Sequence, residues 1–338
     1  MFLILICFLA ICGIESRRVS TERRLLNDGN WIPATAFGTF VVDFDDRYRI
    51  CQATIDAIEA GYRHIDTAHI YLTEDMVGKA IDNVTCRGIV KREELFITTK
   101  LSYRVATRAQ ILPAVKQALK RLMLDYVDLF LIHMPANLLG RNNHDNLEMW
   151  KGLEDAQRLG LTKSIGISNF NSTYMARILA NSKTLPAVNQ IETNPTFANL
   201  ELVAYCQSKN IVVTGYSPFG FLVRRVLNDL SFPPTFDDPL LVRLAKKYGV
   251  TVSQIVLRWL VERGIIPIAA SWNKYHIKLN IDIFSFKMSP KDVLKMNEFD
   301  RNVKVYLIDY EGLFEIERQG FYEMEEYIER NNLGQYRI

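Results

Sequence analysis

Four residues in the first half of the chain could together protonate a carbonyl oxygen: Asp66, Tyr71, Lys100 and His133. A phenol is a poor acid at neutral pH because its pKa is about 10, and a nearby ammonium lowers that pKa. We expect Lys100 to do so for Tyr71, and Asp66 to keep Lys100 charged and oriented. His133 can orient the carbonyl or share in delivering the proton. A separate group must then supply a hydride.

Each of these residues also has a simpler explanation. Asp66 could cap a helix, Tyr71 could pack in the core, Lys100 could be a solvated charge, and His133 could be held by structural hydrogen bonds. The four residues form a site only if the fold brings them together. The sequence offers no nucleophile and base pair for acyl transfer, and no cluster of His, Cys and Asp that predicts a metal site.

Short apolar segments alternate with amphipathic ones from about residue 28 onward, after a predicted β-hairpin whose turn is 27–30 (NDGN). Continuous apolar strands are typical of a parallel sheet buried on both faces. Strands are predicted at Ala36–Phe40, His64–Thr67, Leu95–Lys100, Val127–His133, Lys163–Ser168, Ala187–Glu192, Ile211–Tyr216 and Ile265–Ala270. Eight such units, each followed by a helix, predict an α/β fold, a (β/α)8 TIM barrel. A doubly wound sheet is the alternative, but it lacks its G-x-G-x-x-G turn here.

Functional residues of a TIM barrel lie at the carboxyl ends of its strands. This rule places Asp66, Lys100 and His133 on one rim. It adds further polar groups from later strands: Ser168, Asn169, Gln190, Tyr216, Ser217 and Ser271. A purely structural rim needs no ionisable group from three successive strands.

The composition is that of an ordinary globular protein: of 338 residues, 49% are hydrophobic and 23% are charged. A formal net charge of +3 without a basic cluster excludes nucleic acid as an expected partner. We expect a monomer that binds a small carbonyl compound. Three cysteines beyond the first segment, Cys51, Cys86 and Cys206, give neither a disulfide framework nor metal-ligand spacing.

The first segment, 2–14 (FLILICFLAICGI), is too short to span a bilayer, which takes about 20 residues. Its length fits the apolar region of a signal peptide, although no Lys or Arg precedes it. We expect residues 1–16 to be a signal peptide and 17–338 to be a single secreted domain, with no membrane association after cleavage. A retained membrane anchor or a buried first strand are the alternatives. Two sequons, at Asn83 and Asn171, could carry glycans.

Six segments in order resemble the aldo-keto reductase superfamily between about residues 26 and 286: GYRHIDTAHIYLTED, LFITTKL, DLFLIHMP, SIGISNF, VNQIETNP and VTGYSPFG. The resemblance implies that Tyr71 donates the proton, that Lys100 and Asp66 tune its pKa, and that His133 orients the carbonyl. It also implies a nicotinamide cofactor stacked on Tyr216. The residues that the resemblance assigns to the cofactor are Gly38, Thr39, Asp66, Ser168, Asn169, Gln190, Tyr216, Ser217, Phe219, Ser271 and Asn280, and those assigned to the substrate are Phe40 and His133.

One segment departs from the family pattern, which reads I-P-K-S, then Arg five residues after the Ser, then E-N. Ala270 stands in the place of the Lys, His276 in that of the Arg, and Leu279 in that of the Glu. The Lys and Arg normally neutralise the 2′-phosphate of NADPH, and Arg does so in a bidentate way that His cannot copy. Lys274 and Lys278 could compensate in part. The cofactor is therefore NADPH bound weakly, or NADH, or turnover is lost.

Two more segments bear on the substrate. The loop between His133 and Trp150 is shorter than the resemblance implies, which predicts an open pocket. The tail from about residue 302 is rich in Tyr and Phe and either covers the pocket or packs on the barrel as an amphipathic helix.

The sequence thus predicts a secreted NAD(P)H-dependent reductase of aldehydes or ketones. The YSPFG segment and the leader resemble secreted 3-dehydroecdysone reductase-like members of the family, which suggests an oxo-steroid. The alternative is a secreted binding or carrier protein on a degenerate reductase barrel.

Overall fold

Eight parallel strands form a closed barrel in the computed structural model of the protein. The structure describes residues 22–41, 43–102, 105, 107–136, 145–223, 233–306 and 326–336. The predicted signal peptide, most of the loop after His133 and most of the tail lie outside the described residues. The barrel strands are β3 (Ala36–Gly38), β4 (His64–Asp66), β5 (Phe96–Lys100), β6 (Val127–Ile132), β7 (Thr162–Ser168), β8 (Val188–Glu192), β9 (Val212–Tyr216) and β10 (Ile265–Ala269).

The strands follow one another around the barrel in chain order, and β10 closes it between β9 and β3. In that register Gly38 lies beside Asp66, Lys100 beside Leu131, and Ser168 beside Gln190. Because all eight strands run in the same direction, their carboxyl ends meet at one rim. The fold therefore brings the predicted strand-end residues to one face of the molecule.

Helices surround the barrel and bury its outer face. They are α1 (Arg49–Ala60), α2 (Glu74–Cys86), α3 (Arg108–Leu122), α4 (Asn146–Arg158), α5 (Ser172–Asn181), α6 (Leu200–Ser208), α7 (Pro239–Tyr248), α8 (Val252–Glu262), α9 (Lys274–Ile281) and α10 (Pro290–Asn297). The sequence predicts a helix after each barrel strand, and a helix follows each of them: α1 to α6 follow β3 to β8, α7 and α8 follow β9, and α9 follows β10. Within the described ranges, none of these helices has the length and apolarity that crossing a membrane requires.

The predicted hairpin is present at the opposite, amino-terminal end of the barrel. It pairs β1 (Arg23–Leu25) with β2 (Trp31–Pro33), and Gly29 takes the positive φ of 86° that its turn needs. Leu26 and Ile32 of the hairpin pack with interior barrel residues such as Leu129 and Ile266. The hairpin thus covers the bottom of the barrel and leaves the other rim for function.

The close packing of neighbouring strands depends on small side chains at particular positions. A Cβ at Gly166 of β7 would lie 2.6 Å from the carbonyl oxygen of Val188 and 2.7 Å from Leu131 Cδ2.

The predicted fold is confirmed: the eight predicted strands are the barrel strands, with ends that differ by one or two residues.

Candidate active site

Lys100 lies at the centre of the rim, at the end of β5, and is only 1% exposed. Its Nζ donates hydrogen bonds to Asp66 Oδ1 at 2.6 Å, to the carbonyl oxygen of Thr67 at 2.9 Å and to the Tyr71 hydroxyl at 3.1 Å. All three hydrogens of the ammonium thus have an acceptor. The lysine is not a solvated charge, and it links an acidic and a phenolic side chain.

Asp66 ends β4 and is also buried. Its second oxygen, Oδ2, accepts a hydrogen bond from Gln190 Nε2 at 2.7 Å. The carboxylate therefore joins the ammonium of β5 to an amide of β8 across the barrel mouth. These contacts with Lys100 and Gln190 account for both carboxylate oxygens, so helix capping is not the explanation for this residue.

Tyr71 lies in a single turn of 3-10 helix, His69–Tyr71, that follows β4. Its ring lies edge-on to His133, at 5.8 Å between centroids, and to Phe40, at 5.1 Å. The Lys100 Nζ is 4.6 Å from the centroid of the same ring. Three neighbours thus pack around the Tyr71 ring.

The lowering of the Tyr71 pKa that was expected from Lys100 is outweighed in this structure. Burial raises the pKa of Tyr71 well above its ordinary value, and the negative charge of Asp66 raises it further. The charge of Lys100 can be inferred from the sequence, but the burial of the phenol away from water, which disfavours the phenolate, cannot. Tyr71 is consequently a neutral hydroxyl throughout the physiological range.

His133 directly follows β6. Burial lowers the pKa of His133 well below its ordinary value, and the neighbouring Lys100 and His69 act in the same direction. Its Nδ1 is buried and has no hydrogen-bond partner among the described residues. The ring is therefore a neutral imidazole, which carries one N–H that can be donated to a carbonyl oxygen.

A second group of polar side chains joins the ends of β7, β8 and β9. The Tyr216 hydroxyl donates to Asn169 Oδ1 at 2.8 Å, and Asn169 Nδ2 donates to the carbonyl oxygen of His133 at 2.9 Å. Ser168 Oγ donates to the carbonyl oxygen of Gln190 at 2.9 Å. Two amides, a hydroxyl and a flat aromatic ring thus lie next to the Lys100 cluster. These are groups that suit a planar ring bearing a carboxamide, so the residues fit a nicotinamide.

The remaining predicted cofactor residues lie on the same side of the barrel. Gly38 ends β3 and Thr39 Oγ1 donates to the carbonyl oxygen of Asp66 at 3.0 Å. Ser217 follows β9 with a positive φ of 48°, and Phe219 packs partly buried against the core. Asn280 is buried in α9. These residues line the rim from β3 to β9 and on to α9.

The segment that departs from the family pattern forms the start of α9. Asn273 caps the helix by accepting from the backbone N–H of Tyr275 and of His276. Lys274, one of the two lysines expected to compensate for Ala270, binds Asp56 instead, at 2.9 Å. Its charge is therefore already partly balanced, which weakens the expected compensation.

Two residues near the site were missed in the sequence. Glu192 ends β8, where the strand-end rule could have found it. Its carboxylate accepts the backbone N–H of Val305 at 2.6 Å and of Tyr306 at 3.2 Å. The Tyr306 ring lies 6.4 Å from Phe40 and 6.1 Å from Tyr216. The start of the tail thus reaches the mouth of the site, while residues 307–325 lie outside the described ones.

The arrangement can do one kind of chemistry well. A neutral phenol whose oxygen receives a hydrogen bond from a buried ammonium has its own hydrogen available for a third atom. A neutral imidazole lies beside it, and aromatic rings line the approach. No cluster of metal-ligating side chains occurs within the described ranges. The geometry suits proton donation to a carbonyl oxygen.

Comparison with known proteins agrees with this geometry. The model of the Aldo/keto reductase family matches residues 36–301. The aldo-keto reductase AKR2E4 of Bombyx mori is 48% identical over 286 residues, which are 83% of this chain and 92% of that protein. Its crystal structure in complex with NADP has a TM-score of 0.82 and covers 87% of this chain and 98% of that one.

Two more relatives extend the comparison. The silkworm aldo-keto reductase AKR2E5, solved with NADPH, has a TM-score of 0.82 at 39% identity and covers 85% of this chain and 90% of that one. Prostaglandin F synthase 1 of Bos taurus is 36% identical over 85% of this chain and 94% of its own length. The chain therefore belongs to the aldo/keto reductase family and is an oxidoreductase.

Proposed function

We propose that this protein reduces an aldehyde or ketone to the alcohol with a reduced nicotinamide cofactor, and that Tyr71 donates the proton. The observation that carries the proposal is the position of Lys100, whose Nζ donates to both Asp66 and the Tyr71 hydroxyl. A buried ammonium in contact with a phenol stabilises the phenolate that forms when the proton leaves.

The chain's own residues account for the protic half of the reaction. Lys100 donates to the phenol oxygen, so the phenol hydrogen is directed to the substrate carbonyl. His133 donates its N–H to the same carbonyl oxygen and holds it near Tyr71. As negative charge develops on the carbonyl oxygen, the proton moves to it from Tyr71, and Lys100 with Asp66 stabilises the phenolate left behind. A nicotinamide held at Ser168, Asn169, Gln190 and Tyr216 supplies the hydride when bound.

The cofactor half is supported by two relatives whose solved structures hold NADP or NADPH. We propose that this chain uses NADPH or NADH with a weaker preference for the 2′-phosphate than those relatives. Ala270 cannot form an ion pair, His276 cannot form a bidentate one, and Lys274 is bound to Asp56. Each missing charge-assisted hydrogen bond to the phosphate weakens binding by about 1.5–3 kcal/mol.

For the substrate, we propose a bulky apolar carbonyl compound, an oxo-steroid in particular. The rings of Phe40, Tyr216 and Tyr306 surround the approach to Tyr71 and offer flat apolar surfaces to a fused-ring molecule. The catalytic groups supply only hydrogen bonds to one oxygen, so the rest of the substrate must be recognised by this apolar wall.

The experiment that tests the proposal compares the wild type with Tyr71→Phe. Oxidation of NADPH and of NADH is followed with an aldehyde, a quinone and an oxo-steroid. Tyr71→Phe should lower kcat by about 10²–10⁴-fold, since that is what general acid catalysis contributes. Cofactor binding, measured by quenching of Tyr and Trp fluorescence, should stay unchanged. A Tyr71→Phe protein as active as the wild type would sink the role of Tyr71.

The second candidate, a non-catalytic binding or carrier protein, is favoured by a single observation, the loss of both cationic side chains at Ala270 and His276. The fluorescence titration distinguishes the reductase from the carrier protein. A wild-type protein that binds neither NADPH nor NADH at millimolar concentration would favour the carrier.

We also propose that the protein is secreted, with residues 1–16 as signal peptide, and that it carries a glycan at Asn171. Both asparagines are exposed, but Asn171 lies at the amino-terminal end of α5, next to a loop, whereas Asn83 lies within α2. Expression of the full chain in insect cells should place the protein in the medium. Asn171→Gln should then remove a glycan that Asn83→Gln leaves in place.

A further inference from the structure

The end of the chain, residues 326–336, packs against the turn that carries Tyr71. Leu72, the residue directly after Tyr71, is fully buried in a small apolar cluster. The other buried members of that cluster all come from the end of the chain: Tyr327, Ile328, Leu333 and Tyr336. The turn therefore has a hydrophobic support that lies more than 250 residues away in sequence.

Leu72 needs this support because its backbone is strained. Its φ of 53° and ψ of 29° are left-handed, a conformation that a residue with a Cβ seldom adopts outside a packed environment. Its carbonyl oxygen accepts a hydrogen bond from Arg47 Nε at 2.7 Å. Since Leu72 is the next residue after Tyr71, a change in its backbone would redirect the Tyr71 side chain.

The helix that follows the turn lacks a cap of its own. Thr73 stands at the N-cap of α2 but makes no capping hydrogen bond, because its hydroxyl donates to the carbonyl oxygen of Thr39. Tyr336 takes over that function. Its hydroxyl accepts the backbone N–H of Asp75 at 3.1 Å and donates to Asp75 Oδ1 at 2.7 Å.

The backbone of the same segment holds the start of the turn. The carbonyl oxygen of Tyr336 lies 2.9 Å from His69 Nε2. The carbonyl oxygen of Gln335 accepts from Arg121 Nη1 at 2.9 Å, and the Arg121 guanidinium lies 4.9 Å from the centre of the Tyr336 ring. Arg121 also binds Glu74 in the first turn of α2, at 2.6 Å. The chain end is thus fastened on both sides of Tyr71.

We infer that the Tyr336 hydroxyl makes this residue a positioning residue for Tyr71: it fastens Asp75 on one side of the catalytic turn, while the backbone carbonyl of the same residue holds His69 on the other, and the hydroxyl is needed for the direction of the Tyr71 side chain. The inference rests on the proposed role of Tyr71 as proton donor. It assigns a function in the reaction to a tyrosine that touches neither Lys100 nor His133.

The inference predicts a particular kinetic pattern. Loosening the turn misplaces the proton donor but leaves the nicotinamide residues on β7, β8 and β9 untouched. The turnover number should therefore fall while the KM for the cofactor stays constant. A general loss of stability would not lower the turnover number while leaving the cofactor KM constant.

The test compares Tyr336→Phe with Tyr327→Phe in the full-length protein. Both variants lose one phenolic hydroxyl from the same segment and keep the ring. The Tyr327 hydroxyl donates to the carbonyl oxygen of Phe44, away from α2, so this variant is the matched control. Measurements are kcat and KM for carbonyl and cofactor, together with Tm.

Tyr336→Phe should lower kcat at least about fivefold at a temperature well below its Tm, because small misplacements of a reacting group are costly. The cofactor KM should stay within about twofold, and Tyr327→Phe should match the wild type within the same factor. Wild-type kcat in Tyr336→Phe, beside an inactive Tyr71→Phe, would overturn this inference alone. Equal losses in both variants would overturn it as well. Full activity in Tyr71→Phe would overturn the proposed function and the inference with it.

Discussion

Replacing Asp66 by asparagine tests whether the buried ion pair at the centre of the site sustains both stability and catalysis. Asp66 and Lys100 are 2% and 1% exposed, and their charged atoms lie 2.6 Å apart. Removing one partner of such a pair costs about 3–5 kcal/mol, because the other charge is left buried. The asparagine side chain keeps an oxygen that can accept from Lys100, so the lower end of the range is expected. A loss of about 3 kcal/mol corresponds to a decrease in Tm of roughly 4 °C for a chain of this size.

The pH dependence of that loss has a definite sign. Burial already lowers the pKa of Lys100 in the folded protein, and the Asp66 carboxylate opposes this. Asp66→Asn removes the opposition, so the folded-state pKa falls further below that of the unfolded chain. Over the interval between the two pKa values the unfolded chain binds more protons, and stability rises with pH there. The deficit in Tm should therefore be largest at the acidic end of the range and should shrink as the pH rises.

The assay combines thermal unfolding at several pH values with steady-state kinetics. We expect kcat to fall by about 10²-fold, because Lys100 gives up its proton more readily without Asp66 and then stabilises the phenolate less. Asp128→Asn is the control. Asp128 is equally buried and pairs with Arg92, but it lies near the start of β6, at the other end of the barrel. It should lose stability and keep its kcat. An Asp66→Asn deficit that is the same at every pH would refute the reasoning.

Three further predictions follow from the same geometry. The double change Ala270→Lys and His276→Arg should tighten NADPH binding at least about tenfold and leave NADH binding unchanged, as measured by fluorescence titration. Equal tightening of NADPH and NADH binding would show that these two positions do not contact the 2′-phosphate. Because the pKa of Tyr71 is raised and that of His133 is lowered, kcat should be level between about pH 6 and pH 9, and a bell-shaped profile centred near neutrality would contradict both shifts. Tyr306→Ala should raise the KM for a fused-ring ketone at least about fivefold and that for a small aldehyde by less than about twofold; equal effects on both would exclude Tyr306 from the apolar wall.

Much of the barrel could be predicted from sequence because each unit obeys local rules. Strands rich in apolar residues, such as Val127–Ile132 with Asp128 as its one charged residue, are buried along their whole length, and the strand-end rule then identifies Lys100 and Asp66 without any knowledge of contacts. Glu192, two residues after Gln190 on the same strand, obeys the rule as well and could have been predicted by it. Its partners, the backbone N–H groups of Val305 and Tyr306, carry no pattern of their own.

What the sequence could not supply is the set of contacts between distant parts of the chain. Nothing near Thr73 indicates that α2 would be capped by Tyr336, since a backbone N–H is satisfied by any oxygen that the fold brings to it. Lys274 was considered as a partial replacement for the missing charges of the cofactor segment, and it pairs with Asp56 of α1. A charged side chain can pair with any opposite charge that the fold brings near it, and only the folded structure shows which charges are near.

The pKa of Tyr71 is where sequence and structure disagree most, and the disagreement bears on how the site works. From residue types alone, Lys100 should make Tyr71 a stronger acid, yet burial and Asp66 keep the phenol protonated. A phenol that ionised easily would be partly deprotonated before a substrate bound. A phenol that stays neutral carries its proton at any physiological pH, and Lys100 exerts its effect only once charge begins to form on the oxygen it already contacts, 3.1 Å away. The ammonium then stabilises the transition state more than the resting site, which is the condition for a faster reaction.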